Sequence, residues 1–439
     1  MASTATGMMT IVGLALAISA VTLLGAARDH RGVFARTGRE AAGGLALDAP
    51  IPETVPPGVK LVIGDPVTER VLKHTGWIKD LTFQVQWAQI TGGPAVTEAF
   101  HAKALDVGSV ANIPPIHATW VGIPVKMIAV RFRQDPLNHP LFVLAVAPGS
   151  NIRGLADLKG KRIAYSPGQV QGEIVLRSLE AAHLTTADVT LVELPSTGGD
   201  LYISALVGGL VDVAPIGAGA AAKHYVDGYG RQGARLIRHS DVRDDLTDLY
   251  VRTETLRDAG KAAALRQYVT LWARATAWIA AHPDEWAALY YEKDQGLSPA
   301  DTAYVTQANG RPDIPRDWNE AIALQQASID LMARETHRKV FDAASLFDRR
   351  FERVAWEAVG PSGGPAPPPS RRADARRATS PVSPRPSPGF TGEEGKVATQ
   401  LSSPASEAQR GRWQTAQRAD GGGARQPAPS STNLALTRR

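Results

Sequence analysis

The chain has 439 residues, no cysteine and a formal net charge of +5, with 44% hydrophobic and 21% charged residues. A chain without thiols cannot contain a disulfide framework, an iron–sulfur centre or a cysteine nucleophile. The charge is uneven, because residues 361–439 carry twelve Lys and Arg against five Asp and Glu, whereas residues 1–360 carry 36 against 38. The basic character therefore belongs to the last fifth of the chain, and the body is nearly neutral.

The first segment, residues 1–31, is predicted to be a signal peptide or an N-terminal membrane anchor. From Met8 to Ala27 no side chain is charged over about one bilayer thickness, and a charged stretch follows at once. No Lys or Arg precedes the apolar run, so an uncleaved anchor stays open as the alternative. The lack of cysteine excludes a lipid-anchored lipoprotein. Residues 32–57 are rich in Gly, Ala and Pro and are predicted to be a linker.

Short strands alternate with helices over the next part of the chain. Apolar runs bounded by turn residues predict strands at Lys60–Ile63, Phe83–Trp87, Asp106–Val110, Val125–Val130, Leu141–Val146, Arg162–Tyr165, Val189–Leu194 and Val211–Ile216. Helical spacing predicts helices at Glu69–Trp77, Pro94–Lys103, Ile116–Val121, Glu173–Ala182 and Leu201–Leu206. This alternation predicts right-handed βαβ units and an α/β sheet.

The last third of the body is predicted to be helical. From Arg257 onwards the 3.6-residue periodicity predicts helices at Ala262–Ala281, Pro283–Lys293, Pro299–Ala308 and Asp317–Glu335. Residues 360–439 consist largely of Pro, Gly, Ser, Ala and Arg, and are predicted to be a disordered tail because they offer too little apolar surface to offset backbone ordering. An electrostatic handle for anionic lipid, cell wall or nucleic acid is the alternative role of this tail.

Four turns rich in Gly, Pro and Ser follow predicted strands. They contain Asp65, the pair Gly92 and Gly93, the stretch Ala111–Pro115 and the stretch Ser166–Gln171. In open α/β sheets, ligands bind beyond the carboxyl ends of strands, where helix N-termini present free N–H groups. Glycine lets an anion approach the backbone, and the helix dipole favours negative charge. The turns together therefore predict a cleft that binds a small oxyanion without any catalytic group. Each turn taken alone would be interpreted as an ordinary connection between a strand and a helix.

Two arginines follow the predicted strand that ends at Val130. Arg131 and Arg133 could pair bidentately with an oxyanion, and a solvated rim is the alternative for both.

A glycine pattern supports a rival function. Gly217-x-Gly219-x-x-Ala222 follows a strand and opens a helix, and Arg238 comes about twenty residues later, which resembles an NADP fingerprint. The pattern comes late in the chain rather than in a first βαβ unit. The sequence contains no GxSxG, P-loop or HExxH motif, and its histidines lack metal spacing with carboxylates. We therefore predict that the protein is not an enzyme and has no cofactor and no metal site. An NADP-dependent oxidoreductase remains the rival hypothesis.

Several motifs in order carry a resemblance to a known family. The stretches Asp106–Pro115 (DVGSVANIPP), Leu155–Ala164 (LADLKGKRIA) and Ala281–Glu285 (AHPDE) resemble ABC-importer substrate-binding proteins of the aliphatic sulfonate/taurine/nitrate family. The resemblance covers roughly residues 58–355. The LADLKGKRIA element is shared by many binding proteins of this architecture, whereas the DVG…PP and HPDE elements point to the sulfonate branch.

The resemblance implies an α/β, two-lobed, periplasmic-binding-protein-like (type II) fold with a hinge. Lobe one would combine residues 58–140 with 250–355, and lobe two would be residues 141–249, with crossings near His139–Val143 and Leu246–Val251. The implied ligand-binding residues are Asp65, Gly92, Gly93, Asn112, Ile113, Ser166, Gly168, Gln169, Val170, Gln171 and Gly217, with Arg133 as a further anion partner.

The resemblance also implies the partners and location. A small anionic organosulfur ligand would be captured between the lobes of a monomer and delivered to an ABC permease, with no nucleic acid involved. The protein would be periplasmic or extracytoplasmic, close to the membrane, and membrane-associated if the N-terminal segment is uncleaved. The organosulfur compound expected is an aliphatic sulfonate, and a heteroaromatic vitamin precursor is the alternative ligand.

The sequence departs from the usual family pattern at three places. It has Asn112 where sulfonate binders commonly have Asp, Gln169 and Gly172 in the turn of lobe two, and Gly217-Ala218-Gly219-Ala220 where larger residues often wall the pocket. Smaller walls imply a roomier or differently shaped pocket.

Overall fold

The computed structural model describes residues 44–90, 92–195, 200–239, 241 and 243–360. The predicted signal or anchor, the first part of the predicted linker and the predicted disordered tail lie outside these described residues. In the described part of the chain, no helix is both long and apolar enough to cross a membrane.

The elements alternate as predicted up to about residue 237 and are then mainly helical. The strands are β1 (Lys60–Gly64), β2 (Gln84–Trp87), β3 (Val107–Ala111), β4 (Val125–Arg133), β5 (Phe142–Val146), β6 (Arg162–Tyr165), β7 (Thr190–Glu193), β8 (Val213–Gly217), β9 (Arg235–Ile237), β10 (Thr247–Arg252) and β11 (Pro312–Asp313). The helices are α1 (Pro66–Thr75), α2 (Gly93–His101), α3 (Ile113–Trp120), α4 (Val170–Ala181), α5 (Asp200–Val207), α6 (Ala220–Tyr229), α7 (Thr253–Arg257), α8 (Ala259–Ala281), α9 (Pro283–Trp286), α10 (Pro299–Asn309), α11 (Asn319–Thr336) and α12 (Glu352–Val359). A π-helical stretch, Ala287–Asp294, directly follows α9.

The first sheet brings the ends of four strands to one edge. Its strand order is β11-β4-β10-β3-β1-β2. Strand β1 is parallel to β2 and β3, and β10 lies antiparallel between β3 and β4. Strands β1 to β4 therefore all run in the same direction, and their carboxyl ends share one edge of the sheet. Ligands of open α/β sheets bind at this edge.

The second sheet has the order β7-β6-β8-β5-β9. Strands β6, β7 and β8 run parallel to one another, whereas β5 is antiparallel to β8 and β9. The chain leaves the first sheet between β4 and β5, through residues 134–141, and returns between β9 and β10, through residues 238–246. Two sheets joined by two crossings are the architecture of a hinged, two-lobed binding protein, which confirms the predicted fold class.

The second crossing lies earlier than we predicted. We expected it at Leu246–Val251, but residues 247–252 form β10 inside the first sheet. The side chains of Leu249, Tyr250 and Val251 are fully buried there. A strand buried on both faces shows a continuous apolar run, which does not reveal the sheet to which the strand belongs.

Most of the core surrounds α8 and the first sheet. Trp272 and Tyr268 of this long helix are fully buried, and α1 and α12 pack beside it. Part of the predicted linker packs on this body as well: Ile51 is buried, and Leu45 N donates a hydrogen bond of 2.6 Å to Arg257 O. A smaller apolar cluster with Tyr202 and Tyr225 supports the second sheet.

Two helices next to the predicted site begin three residues earlier than their periodicity suggested. Helix α3 begins at Ile113, with Pro114 and Pro115 in its first turn, where the missing N–H groups break no helical hydrogen bond. Helix α4 begins at Val170 rather than Glu173. Asn112 and Gln169 therefore lie directly at helix N-termini. Strand β4 also continues past Val130 to Arg133, so Arg131 and Arg133 lie within the strand rather than after it.

Candidate functional site

Asp65 lies at the carboxyl end of β1, where it starts α1. Its Oδ1 accepts a hydrogen bond of 3.2 Å from Thr68 N, and its Oδ2 accepts one of 2.9 Å from the Tyr268 hydroxyl. Asp65 is buried, and its charge also suits the positive end of the helix dipole. Burial, reinforced by Asp65, raises the pKa of Tyr268 well above its usual value. Both carboxylate oxygens of Asp65 thus already accept hydrogen bonds from within the protein.

The turns of the two sheets meet at the N-termini of α2 and α4. A Cβ on Gly93 would lie 2.3 Å from Pro114 Cγ and 2.8 Å from the side-chain amide nitrogen of Gln169. Gly168 has a φ of +75°, and a Cβ there would lie 2.7 Å from His117 Nδ1. Only glycine allows contacts this close at the two positions. The predicted residues Gly93, Gly168 and Gln169 are therefore brought together across the cleft.

Asn112 belongs to a buried polar cluster that also joins the two sheets. Its Nδ2 donates to Glu173 Oε2 (3.2 Å) and to Ser328 Oγ (3.1 Å). Glu173 Oε1 accepts from Ser328 Oγ (2.5 Å) and from Arg177 Nε (2.9 Å). The carbonyl oxygen of Asn112 accepts from Gln325 Nε2 (2.8 Å). Sequence reasoning missed Glu173, Ser328 and Gln325 as partners, although the i,i+4 spacing of Glu173 and Arg177 is visible in the sequence.

This cluster explains two of the departures from the family pattern. An Asp in place of Asn112 would put a second carboxylate against Glu173, whereas the amide donates to it. A Cβ on Gly172 would lie 2.3 Å from the carbonyl oxygen of Ser166, so no larger residue fits there without a backbone shift. Asn112 is therefore matched to the contact between α3, α4 and α11, and Gly172 is matched to the turn that precedes α4.

The remaining predicted residues differ in how much they face the cleft. Ile113 and Val170 are buried in the main apolar core. Ser166 is buried beside the Tyr202 hydroxyl, whose pKa burial raises to about 12. Gln171 is half-buried, and its Oε1 has no partner among the described residues. Gly92 and Gly217 face open space, since a Cβ on either would meet nothing within 4 Å.

Arg133 binds the first crossing. Its NH1 donates to the carbonyl oxygens of His139 (2.9 Å) and Pro140 (3.0 Å), and its NH2 donates to Asn309 Oδ1 (3.1 Å). Burial lowers its pKa, and Asp244 acts in the opposite direction. The Arg133 guanidinium is thus largely occupied by groups of the protein.

Arg131 has a different environment two residues earlier in the same strand. Its Nε donates to Thr247 Oγ1 (3.0 Å), and its guanidinium lies 5.8 Å from the ring centre of Trp272. It also lines a cavity of about 200 Å³ next to both crossings, together with Val67, Leu141, Trp286, Tyr290, Tyr291 and Asn309 among others. An open groove of about 790 Å³ shares the wall residues Pro283, Thr306, Gly310 and Arg311 with this cavity. The cavity therefore adjoins a broad route to solvent.

The glycine pattern of the rival function lies in the second sheet. Gly217 ends β8, and Gly219 precedes α6. Strand β8 has a parallel neighbour, β6, on one side and an antiparallel neighbour, β5, on the other. Val305 of α10 lies 3.7 Å from the position of a Cβ on Gly219. A dinucleotide-binding turn leaves this position free for a pyrophosphate, so the packing favours a structural role for the pattern. Among the described residues, no group of three or more His, Asp or Glu could hold a metal ion.

Two α/β sheets, two crossings and turns that meet between the sheets define a two-lobed, periplasmic-binding-protein-like molecule. A family model described as NMT1/THI5 like matches residues 71–286. The match covers about half of the chain, and the chain is homologous to aliphatic sulfonate-binding proteins. This confirms the predicted relationship to substrate-binding proteins of ABC importers.

Two relatives are described as aliphatic sulfonates-binding proteins. The chain is 32% identical to the one from Escherichia coli (strain K12) over 106 residues, which are 24% of this chain and 32% of that protein. It is 26% identical to the one from Bacillus subtilis (strain 168) over 307 residues, which are 67% of this chain and 86% of that protein. The first alignment thus spans about a third of its relative, and the second spans most of it.

A solved structure shares the fold. It is the alkanesulfonate-binding protein SsuA from Xanthomonas axonopodis pv. citri bound to MOPS, with a TM-score of 0.55 and 20% identity. The match covers 68% of this chain and 99% of that chain. The similarity extends over both sheets of a complete binding protein.

Proposed function

We propose that the protein is the solute-binding component of an ABC importer and captures an aliphatic sulfonate or a related small anion between its lobes. The ligand would lie in the cleft bordered by Asp65, Gly92, Gly93, Asn112, Ser166, Gly168, Gln169, Gln171 and Gly217, while Ile113 and Val170 start the helices whose N–H groups face it. The moving units would be residues 58–140 with 247–355, and residues 141–246, because β10 belongs to the first sheet. The permease would recognise the closed form.

The contact between the turns of the two sheets carries this proposal. Gly93, the first residue of α2, lies against Pro114 in the first turn of α3 and against Gln169, which directly precedes α4, so three helix N-termini from both sheets approach one another. Helix N-termini attract anions through their free N–H groups and their dipoles. An anion in the cleft would therefore favour the closed form over the open one, which is the property a solute-binding protein needs.

The ligand class is tested by thermal unfolding of the full chain with methanesulfonate, longer alkanesulfonates, taurine, nitrate and aromatic sulfonates. A specific ligand at 100 times its Kd should raise the unfolding free energy by about 2.7 kcal/mol, which a melting curve detects. If none of these anions raises the melting temperature, the proposed ligand class is wrong. A parallel sample with NADPH tests the oxidoreductase, and a neutral aminopyrimidine tests the heteroaromatic alternative.

Location and partner follow from the same proposal. We expect an extracytoplasmic protein that works next to its permease as a monomer. Mass spectrometry of the N-terminus of the protein purified from cells distinguishes a cleaved signal peptide from a retained anchor. Recovery of the protein in the cytosolic fraction with an intact N-terminus would contradict this location.

A further inference from the structure

We propose that the cavity around Arg131, called the Arg131 cavity below, binds the head group of an anion that carries a single aromatic ring. The inference rests on the proposed function, because it names the ligand class and the counter-charge within the same protein. Neither Arg131 nor this cavity is part of the four turns that border the proposed cleft.

Arg131 has few partners within the protein. Among the described residues, Thr247 Oγ1 is its one hydrogen-bond acceptor, and no described carboxylate lies within 4 Å of the guanidinium. Burial lowers the pKa of Arg131, and Asp65 acts in the opposite direction, although both oxygens of Asp65 are already bonded to Thr68 and Tyr268. Arg131 is half-buried, and neither of its terminal nitrogens donates a hydrogen bond to a described residue. An anionic ligand in the cavity would supply the missing acceptor through charge-assisted hydrogen bonds.

A hydroxyl group is positioned in the same cavity. Tyr291 accepts a hydrogen bond of 2.7 Å from Asn309 Nδ2, and Asn309 Oδ1 accepts one from Arg133. Since the Tyr291 oxygen is the acceptor in this chain of bonds, its own hydrogen remains available to an anion. Tyr290 and Tyr291 lie on the π-helical stretch, and π-helical turns are often found at functional sites.

An apolar wall lies beyond the polar groups. Trp286 and Tyr290 stack with ring centres 4.5 Å apart and planes 12° apart. Val67, Leu141 and Ile279 also line the cavity. Aromatic and aliphatic walls around a few polar groups are typical of sites for organic ligands. This lining suits a ring better than it suits a free inorganic anion.

The volume of the Arg131 cavity matches a ligand with one aromatic ring. The cavity measures about 200 Å³. An apolar cavity of about 150 Å³ in another protein accommodates benzene. The Arg131 cavity is therefore large enough for one aromatic ring with a compact anionic group.

The test is calorimetric titration of the full chain with four probes. Benzenesulfonate is the expected ligand, benzenesulfonamide is its neutral analogue, methanesulfonate lacks the ring, and naphthalene-2-sulfonate carries a second fused ring. We expect benzenesulfonate to bind tightest of the four. Arg131→Met should weaken benzenesulfonate binding about 10- to 100-fold, as expected for lost hydrogen bonds to a charged group. Arg153→Met, at an exposed position, is the matched control and should leave binding unchanged.

A second variant tests the ring compartment without changing any charge. Val67→Phe should fill part of the cavity, and should therefore weaken benzenesulfonate binding more than methanesulfonate binding. Melting curves without ligand verify that each variant is folded. The inference is overturned if folded Arg131→Met binds benzenesulfonate as the unchanged chain does, or if methanesulfonate binds as tightly as benzenesulfonate. In both cases the proposed function stands, whereas failure of every sulfonate to bind the unchanged chain removes that function itself.

Discussion

The two faces of the first sheet meet the cleft in opposite ways. On the face covered by α2 and α3, which we call the closed side, Asn112, Glu173 and Ser328 bond to one another and Gly168 packs on His117. On the face covered by α1 and α8, which we call the open side, Arg131 lies under Trp272 and faces a cavity. Both sides lie at the carboxyl edge of the same strands.

This difference separates two tasks that a binding protein must combine. The closed side uses complementary protein groups, so its contacts stabilise the approach of the two sheets even without a ligand. On the open side the Arg131 guanidinium has a single protein acceptor, Thr247 Oγ1, so an anionic ligand would add the charged partner that the described residues do not provide. Substitutions on the closed side should therefore change folding stability and closure, whereas substitutions on the open side should mainly change ligand binding.

The largest effect is expected from Glu173→Ala on the closed side. Glu173 accepts hydrogen bonds from Asn112, Ser328 and Arg177, and its removal leaves these donors buried. Breaking a buried ion pair by removing one partner lowers the unfolding free energy by about 3–5 kcal/mol. Chemical denaturation measures this loss. Glu180→Ala on the same helix is the matched control, because its exposed pair with Arg334 contributes at most about 1 kcal/mol. Equal losses in the two variants would contradict the importance of the closed side.

The next largest effect on the unfolding free energy is expected from replacing Arg133, and Arg131 in the same strand β4 provides the comparison. Arg133→Met removes donors to His139 O, Pro140 O and Asn309 Oδ1, and should lower the unfolding free energy by about 2–3 kcal/mol. Arg131→Met removes one hydrogen bond from a half-buried side chain, so we expect it to change the ligand-free stability by less than about 1 kcal/mol. Urea unfolding of the two variants in parallel gives the comparison. A larger loss in Arg131→Met would show that Arg131 has a structural rather than a ligand-binding role.

A smaller effect is expected at the contact between the turns. Gly168 and Gly160 have φ values of +75° and +73°, so Gly168→Ala and Gly160→Ala introduce the same backbone strain of about 1 kcal/mol. A Cβ on Gly160 meets open space, whereas one on Gly168 meets His117. Gly168→Ala should therefore lose about 1–2 kcal/mol more, and small-angle scattering should show a more open molecule. Adding His117→Ala should restore most of the extra loss; equal losses in the two glycine variants would rule out the contact.

The sequence predicted the fold well where local signals were strong. The alternation of strands and helices up to Ile216, the glycine turns and the family motifs together indicated two α/β lobes, and the comparisons confirm this fold class. The position of β10 could not be predicted, because a buried apolar run looks the same in either sheet. The set of ligand contacts remains a prediction that the experiments above test.

The polar partners of the site were harder to predict than the turns. In the sequence Asn112 is only a departure from the family pattern, and its role depends on Glu173 and Ser328, which lie 61 and 216 residues away. Arg131 and Arg133 looked equivalent in sequence because both follow the predicted strand that ends at Val130 and lie two residues apart. Only tertiary contacts with His139 and Asn309 on one side, and Thr247 and Trp272 on the other, distinguish them.

The smallest predicted effect concerns an exception on the closed side. Asp248 of β10 lies opposite Val110 and Val130, and neither of its carboxyl oxygens has a hydrogen-bond partner among the described residues. Burial raises its pKa well above the usual value. A raised pKa means that the folded state binds a proton that the unfolded state has released, so stability falls as pH rises from the unfolded pKa, about 3.9, towards the folded one.

Replacing this carboxyl group should therefore stabilise the protein, and more so at higher pH. Asp248→Val continues the apolar row of its neighbours and should raise the unfolding free energy by about 1 kcal/mol at pH 8, with a smaller gain at pH 5. Urea unfolding at both pH values measures the difference. A variant less stable than the unchanged chain at pH 8 would show that Asp248 has a polar partner in solution. The closed side would then have one unpartnered polar group fewer, and the contrast with the Arg131 cavity would become sharper.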